Sequence, residues 1–206
     1  MIKLAITGKA DKRVLAYPFM RACSMAGRTW VVTDDAAYKR LYSGKENYGE
    51  IEGVKINVLP TMSMEDILKI EELAIKDETE YLIFISDSYI SKDMQYNLLL
   101  CEQNTTFLGN YIEDITEDYE NAAFGTLTLT PNKNKRLDPK EVHMHQIVWK
   151  PDYSFYLFRV EQLRQLLPLK DKTVSILLGD AFAAALNLKP DEFQKLLKRK
   201  RYSFSK

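Results

Sequence analysis

Tyr81-Leu82-Ile83-Phe84-Ile85 is an unbroken apolar run closed by Ser86-Asp87. A strand reads this way when helices cover both faces of its sheet, because neither set of alternating side chains then meets water. The residues before it supply such helices. Ile2 to Thr7 is a short apolar run ending at Gly8, and Leu15, Phe19, Ala22, Cys23 and Ala26 then recur at the spacing of one helix face. Pro18 falls early in that stretch, where a missing N–H is tolerated, and Gly27 is expected as a left-handed cap. Thr29-Trp30-Val31-Val32-Thr33 is β-branched and aromatic, so a second strand follows at once and completes a βαβ unit.

Val54, Ile56 and Val58 alternate with Lys55 and Asn57, the pattern of a strand with one polar face. Ser63 is placed to cap a helix carrying Met64, Ile67, Ile70 and Ala74. Beyond the buried run, Ser91 is expected to open a helix with Met94, Leu98 and Cys101 on one side, and Thr105 to Ile112 to return as a strand. The alternation predicts an α/β domain, a doubly wound and mostly parallel sheet flanked by helices, over roughly the first 112 residues. Phe124 to Thr130 and Val142 to Trp149 read as further strands. An aromatic stretch through Tyr153, Phe155, Tyr156 and Phe158 precedes a helical C-terminal end. Its stripes are Val160, Leu163, Leu167, then Val174, Leu178, Ala181, Phe182, Ala185, then Phe193, Leu196, Leu197 after Pro190. Residues 1–206 are read as a single domain, with 190–206 as a C-terminal helix and basic tail.

Composition limits the function classes. Twenty-nine basic residues balance 29 acidic ones, so no global field draws the chain to nucleic acid or anionic membrane. No apolar run approaches the roughly 20 residues that span a bilayer, and the opening residues form a strand rather than a signal peptide, so a cytoplasmic protein is expected. Cys23 and Cys101 lack the spacing of a disulfide framework or zinc site. His143 and His145 share a strand face without a third ligand, and no nucleophile-elbow sequence occurs. The acid-rich segment Glu113 to Glu120 and the basic loop Asn132 to Arg136 are expected on the surface.

The chemistry-bearing stretch is the first strand-to-helix turn, Thr7-Gly8-Lys9-Ala10-Asp11-Lys12-Arg13. Parallel sheets take ligands at the carboxyl ends of their strands, and a helix N-terminus presents free N–H groups to phosphate. Asp34-Asp35 closes the second strand and Asp87 the buried one, which brings three carboxylates toward the same edge as the lysines. In outline this is a site for a magnesium nucleotide.

Ile6-Thr7-Gly8-Lys9, the helix ending at Ala26-Gly27, the strand closed by Asp34-Asp35 and the later strand closed by Asp87 together resemble the MinD/ParA group of P-loop ATPases. The resemblance implies a P-loop NTPase-like fold. It would make Lys9 the early lysine that reaches across a dimer interface and Lys12 the phosphate-cradling lysine. Asp34 or Asp35 would position magnesium or attacking water, and Asp87 would stand behind the magnesium shell. The departures are equally specific. The family's lysines stand five positions apart in a loop of several glycines. Here Lys9 and Lys12 are three apart, Gly8 is the loop's only glycine, Arg13 and Val14 follow Lys12 where a magnesium-binding hydroxyl belongs, and Asp11 puts negative charge where phosphate would lie.

The expectation is therefore a domain that keeps the fold without the hydrolytic chemistry. It would bind no obligatory cofactor and act by protein–protein contacts as an adaptor, assembly or regulatory factor of a bacterial-type machine. Two alternatives stay open. One is a working ATP- and magnesium-dependent switch that homodimerises, with Gly8, Lys9, Lys12, Arg13, Asp34, Asp35 and Asp87 holding nucleotide. The other is a DNA-binding module built on Phe182 to Phe193, which has helix-turn-helix proportions, and on the tail with Lys198, Arg199, Lys200 and Arg201. The same tail, with Tyr202 and Phe204 interleaved, suits an acidic protein surface, nucleic acid or anionic lipid.

Overall fold

A computed structural model describes residues 1–42, 46–87, 94–102, 122–128 and 144–199. The strands are β1 (Ile2–Thr7), β2 (Thr29–Thr33), β3 (Tyr48–Ile51), β4 (Val54–Val58), β5 (Tyr81–Ser86), β6 (Tyr96–Glu102), β7 (Ala122–Thr128) and β8 (Met144–Val148). They form one sheet in the order β3-β4-β2-β5-β1-β6-β7-β8. Every neighbouring pair is parallel except β3 with β4. The helices are α1 (Arg13–Ala26), α2 (Met64–Lys76), α3 (Pro151–Leu163), α4 (Lys172–Phe182) and α5 (Pro190–Lys198). The α/β, mostly parallel architecture is thus as read from the sequence.

Strand alternation divides the core in two. Leu4, Ile6, Val31, Ile56, Ile83 and Ile85 face a large cluster with α1, α3, α4 and α5. Ala5, Trp30, Val32, Leu82 and Phe84 face a smaller one with Ile67, Ile70 and Ala74 of α2. β5 is buried along its whole length, because it sits between β1 and β2 with helices above and below.

Several local expectations need correction. The span from Ser91 to Cys101 does not form a helix from residue 94 onward; Tyr96–Glu102 is β6, paired with β1 and β7. Leu98 and Leu100 enter the large core while Met94 joins the small one, and an apolar run this short carries no periodicity that separates a buried strand from a helix. Gly27 is extended rather than left-handed, with φ −178°; a Cβ there would lie 2.4 Å from a Glu80 carboxylate oxygen. Pro18 is the sixth residue of α1, a turn deeper than expected, so the Val14 carbonyl receives no N–H from position 18. Leu167 lies beyond α3, which stops at a left-handed Arg164. Ser91, the Thr105 to Ile112 segment, the acidic stretch, the basic loop and His143 lie outside the described residues. His145 Nε2 stands 2.8 Å from Asp180 Oδ2, pinning β8 to α4.

Candidate functional site

Parallel register places the ends of β1, β2 and β5 side by side, so Gly8, Asp34-Asp35 and Asp87 emerge on one edge. The three aspartates, with Pro60, Thr61 and Met62 after β4, border an open cleft of about 760 Å³ that Ala10 and Lys12 also line. The sequence expectation that three carboxylates converge with Lys12 is met. Lys9 does not join them at the cleft wall; its side chain is exposed.

The turn is built inside out for a phosphate cradle. Gly8 takes φ +105°, and its carbonyl accepts the Ala10 N–H at 3.0 Å. Carbonyls therefore line the inside of the loop, and the Lys12 ammonium fills it. Lys12 Nζ donates to Gly8 O at 2.7 Å, to Ala10 O at 3.1 Å and to Asp87 Oδ1 at 2.5 Å, with its side chain 4% exposed. An ammonium has three N–H groups, and all three are matched within the chain.

The start of α1 has its own anion. Asp11 Oδ1 accepts the Arg13 backbone N–H at 3.1 Å, and its two carboxylate oxygens take the Arg13 Nε and Nη2 at 2.9 and 2.7 Å. This forked pair puts a carboxylate at the helix N-terminus, the place that attracts phosphate. The other side of Arg13 reaches Glu161 of α3, whose Oε1 also accepts the Tyr17 hydroxyl and whose Oε2 takes Arg40. Glu161 thus ties α1, α3 and the short turn Ala36–Leu41 together behind the loop. No motif marks it, because its partner Arg13 lies 148 positions away in the chain.

The carboxylates expected to serve magnesium are engaged elsewhere. Asp34 Oδ2 accepts the Ser86 hydroxyl at 2.7 Å, joining the ends of β2 and β5. Asp35 Oδ1 caps the turn after β2 through the Ala37 N–H at 2.8 Å. Asp87 pairs with Lys12. Among the described residues no three His, Cys, Asp or Glu side chains form a metal-ligand group. These residues do not fit a magnesium nucleotide: the loop offers carbonyls, its lysine is matched internally, and the helix end is capped by Asp11.

Burial by itself would raise the Asp11 carboxyl pKa, but the hydrogen bonds and charge of Arg13 outweigh it and hold it below the ordinary carboxylate value. Asp171 behaves alike. Burial raises it, while Lys150 and the Val174 N–H at the start of α4 bring it below the usual range. A carboxylate depressed in the folded state contributes stability above its unfolded pKa of about 4 and loses it as pH falls through the folded value. Unfolding midpoints in urea are expected to drop as pH falls below about 4, and Asp11→Asn and Asp171→Asn should each flatten that fall. An unchanged pH slope in both variants would contradict these pairings.

At the other end of the chain, the helix-turn-helix proportions resolve into α4, a left-handed Asn187 and α5. Phe193 and Leu197 are buried against α1 and α4, and Glu192 accepts the Lys189 N–H at the head of α5. Lys198 and Arg199 are exposed at its foot, while Lys200 and Arg201 lie outside the described residues. The basic end is held by a residue the sequence reading missed. Arg21 of α1, 1% exposed, donates to the carbonyls of Leu196, Leu197 and Arg199.

Among the described residues no helix is long and apolar enough to cross a membrane. No protein-family model matches the sequence, and no curated protein matches it. Among solved structures the chain is similar to the MinD cell division protein of Aquifex aeolicus, with a TM-score of 0.56 and 13% identity over 98% of this chain and 99% of that one. At that identity the likeness is one of fold, and with the mostly parallel sheet it gives the chain an α/β, P-loop NTPase-like fold.

Proposed function

We propose that this chain is a non-hydrolytic adaptor or assembly protein on a MinD/ParA-like fold, working through protein–protein contacts in a partition, secretion, conjugation or pilus-like machine of bacterial type. The observation that carries the reading is the state of Lys12: a buried ammonium whose three donors are taken by Gly8 O, Ala10 O and Asp87. Phosphoryl transfer depends almost wholly on positioning charge around phosphate, and a loop of inward carbonyls works against it. Releasing Lys12 toward a phosphate would strip two buried carbonyls of their cation, and the Asp11 carboxylate would still repel the ligand at the helix end.

What such a protein retains is a rigid sheet edge and exposed surfaces. The aromatic segment of α3 keeps Phe155 and Phe158 about 60% exposed, with the Arg159 guanidinium 5.8 Å from the Phe155 ring centre. Aromatic and arginine side chains of this kind are the usual anchors of protein interfaces.

The test is nucleotide itself. Millimolar magnesium ATP should leave the melting temperature unchanged, and phosphate release should equal that of a Lys12→Ala control. A ligand at 100 times its Kd would add about 2.7 kcal/mol, a shift of several degrees that calorimetry resolves easily. Hydrolysis that Lys12→Ala abolishes would instead establish a working switch.

A further inference from the structure

We infer that the chain associates head to tail, the basic C-terminal tail of one copy lying along an exposed apolar flank of α2 of the next. Two features support this independently of the nucleotide question. The first is the face itself. α2 buries Ile67, Ile70 and Ala74 on the sheet, yet leaves Met64, Leu68 and Ile75 at 59%, 53% and 63% exposure. Those positions fall within about 40° of one another around a helix of 3.6 residues per turn, so they form one stripe roughly 16 Å long. Exposed Glu72 stands beside it. Residues 64–80 hold seven acids against two lysines. The pairs on this face, such as Lys69 with Glu65, are largely exposed and therefore weak.

The second feature is the chemistry of the tail. Residues 198–206 carry Lys198, Arg199, Lys200, Arg201 and Lys206 with no acid, and set Tyr202 and Phe204 among them. Cations beside aromatics complement an acid-bordered apolar stripe in both charge and hydrophobicity.

Geometry assigns the tail to a second copy. The Arg199 carbonyl is held by Arg21 of α1, and α1 packs on the sheet face opposite α2. Phe204 is five peptide steps from Arg199 and reaches at most about 18 Å. Two helices with a sheet between them already separate their axes by about 20 Å, and the stripe lies along a flank of the far one. A donor tail and a different acceptor face make the contact heterologous, so a copy bound through its tail still offers its own α2 flank to a further copy, and association continues until a ring closes.

Sedimentation of the full chain tests this. At low ionic strength the weight-average mass should rise with concentration and pass that of a dimer. It should return toward the monomer near 1 M salt, where the Debye length is about 3 Å. Leu68→Lys spoils the acceptor face and the paired change Lys200→Glu with Arg201→Glu spoils the donor. Both sites are at the surface or terminus, and unchanged melting curves would confirm the fold. Each variant alone should stay monomeric, whereas an equimolar mixture should recover association and stop at the heterodimer. A wild-type chain that is monomeric throughout, variants that associate as well as it does, or a mixture that fails to recover would each overturn the inference.

Discussion

Gly8→Ala is expected to destabilise the protein by roughly 3–5 kcal/mol, with a matching fall in the urea midpoint. Two costs combine. The φ of +105° lies where an L side chain is strained, and a Cβ at Gly8 would stand 2.1 Å from the Leu100 carbonyl oxygen and 2.8 Å from its carbon. Both obstacles are backbone of β6, the strand that pairs with β1, so relief requires the sheet itself to part. Gly53→Ala separates the terms. Gly53 has φ +81° at the β3–β4 hairpin with nothing within 4 Å of its would-be Cβ, so alanine there should cost only about 1 kcal/mol. Equal midpoints for the two variants would remove the close approach to β6 as the reason for the glycine. That reason is architectural: Gly8 is needed here because β1 ends hard against its neighbour.

Gly8 also marks where sequence reasoning succeeded and where it stopped. The βα alternation was legible because β1, β2, β4 and β5 differ sharply in pattern from α1 and α2, and three of these strands end at residues with their own signature: Gly8, Asp34-Asp35 and Asp87. Parallel pairing then carries those ends to one edge with no further information. The same reasoning failed at β6, where five consecutive residues from Tyr96 to Leu100 offer too little length to distinguish two buried conformations. Within the turn, the spacing of Lys9 and Lys12 and the missing glycines were readable. The direction of the carbonyls was not, since it depends on a φ at Gly8 set by contact with Leu100. Glu161 and Arg21 were invisible for a related reason. A charged residue at a helical position reads as solvent-facing until the partner element is known, and their partners lie 148 and at least 175 positions away.

Arg21→Met should release α5 from the domain, with a stability loss of about 3 kcal/mol and proteolytic cleavage appearing first in residues 187–199. Arg21 is fully enclosed, and its guanidinium supplies donors to Leu197 O and Arg199 O at the helix end, and a second donor to Leu196 O, which also accepts the Arg199 N–H. A positive charge at that end also opposes the helix dipole's negative pole. Methionine fills the space but takes the guanidinium donors from Leu197 O and Arg199 O and removes that charge. Undocking then exposes Phe193 and the stacked Phe19–Phe182 pair, whose ring centres lie 4.2 Å apart, so the loss extends past the polar contacts into the core. Arg21→Lys should recover only part of it, because lysine has a single nitrogen where arginine reaches Leu196 O and Leu197 O with Nη1 and Arg199 O with Nη2. Methionine behaving like wild type in both denaturation and proteolysis would mean that α5 is held by Phe193 and Leu197 alone. An intermediate lysine variant would show instead that the buried arginine, in addition to apolar contact, holds α5 on the domain.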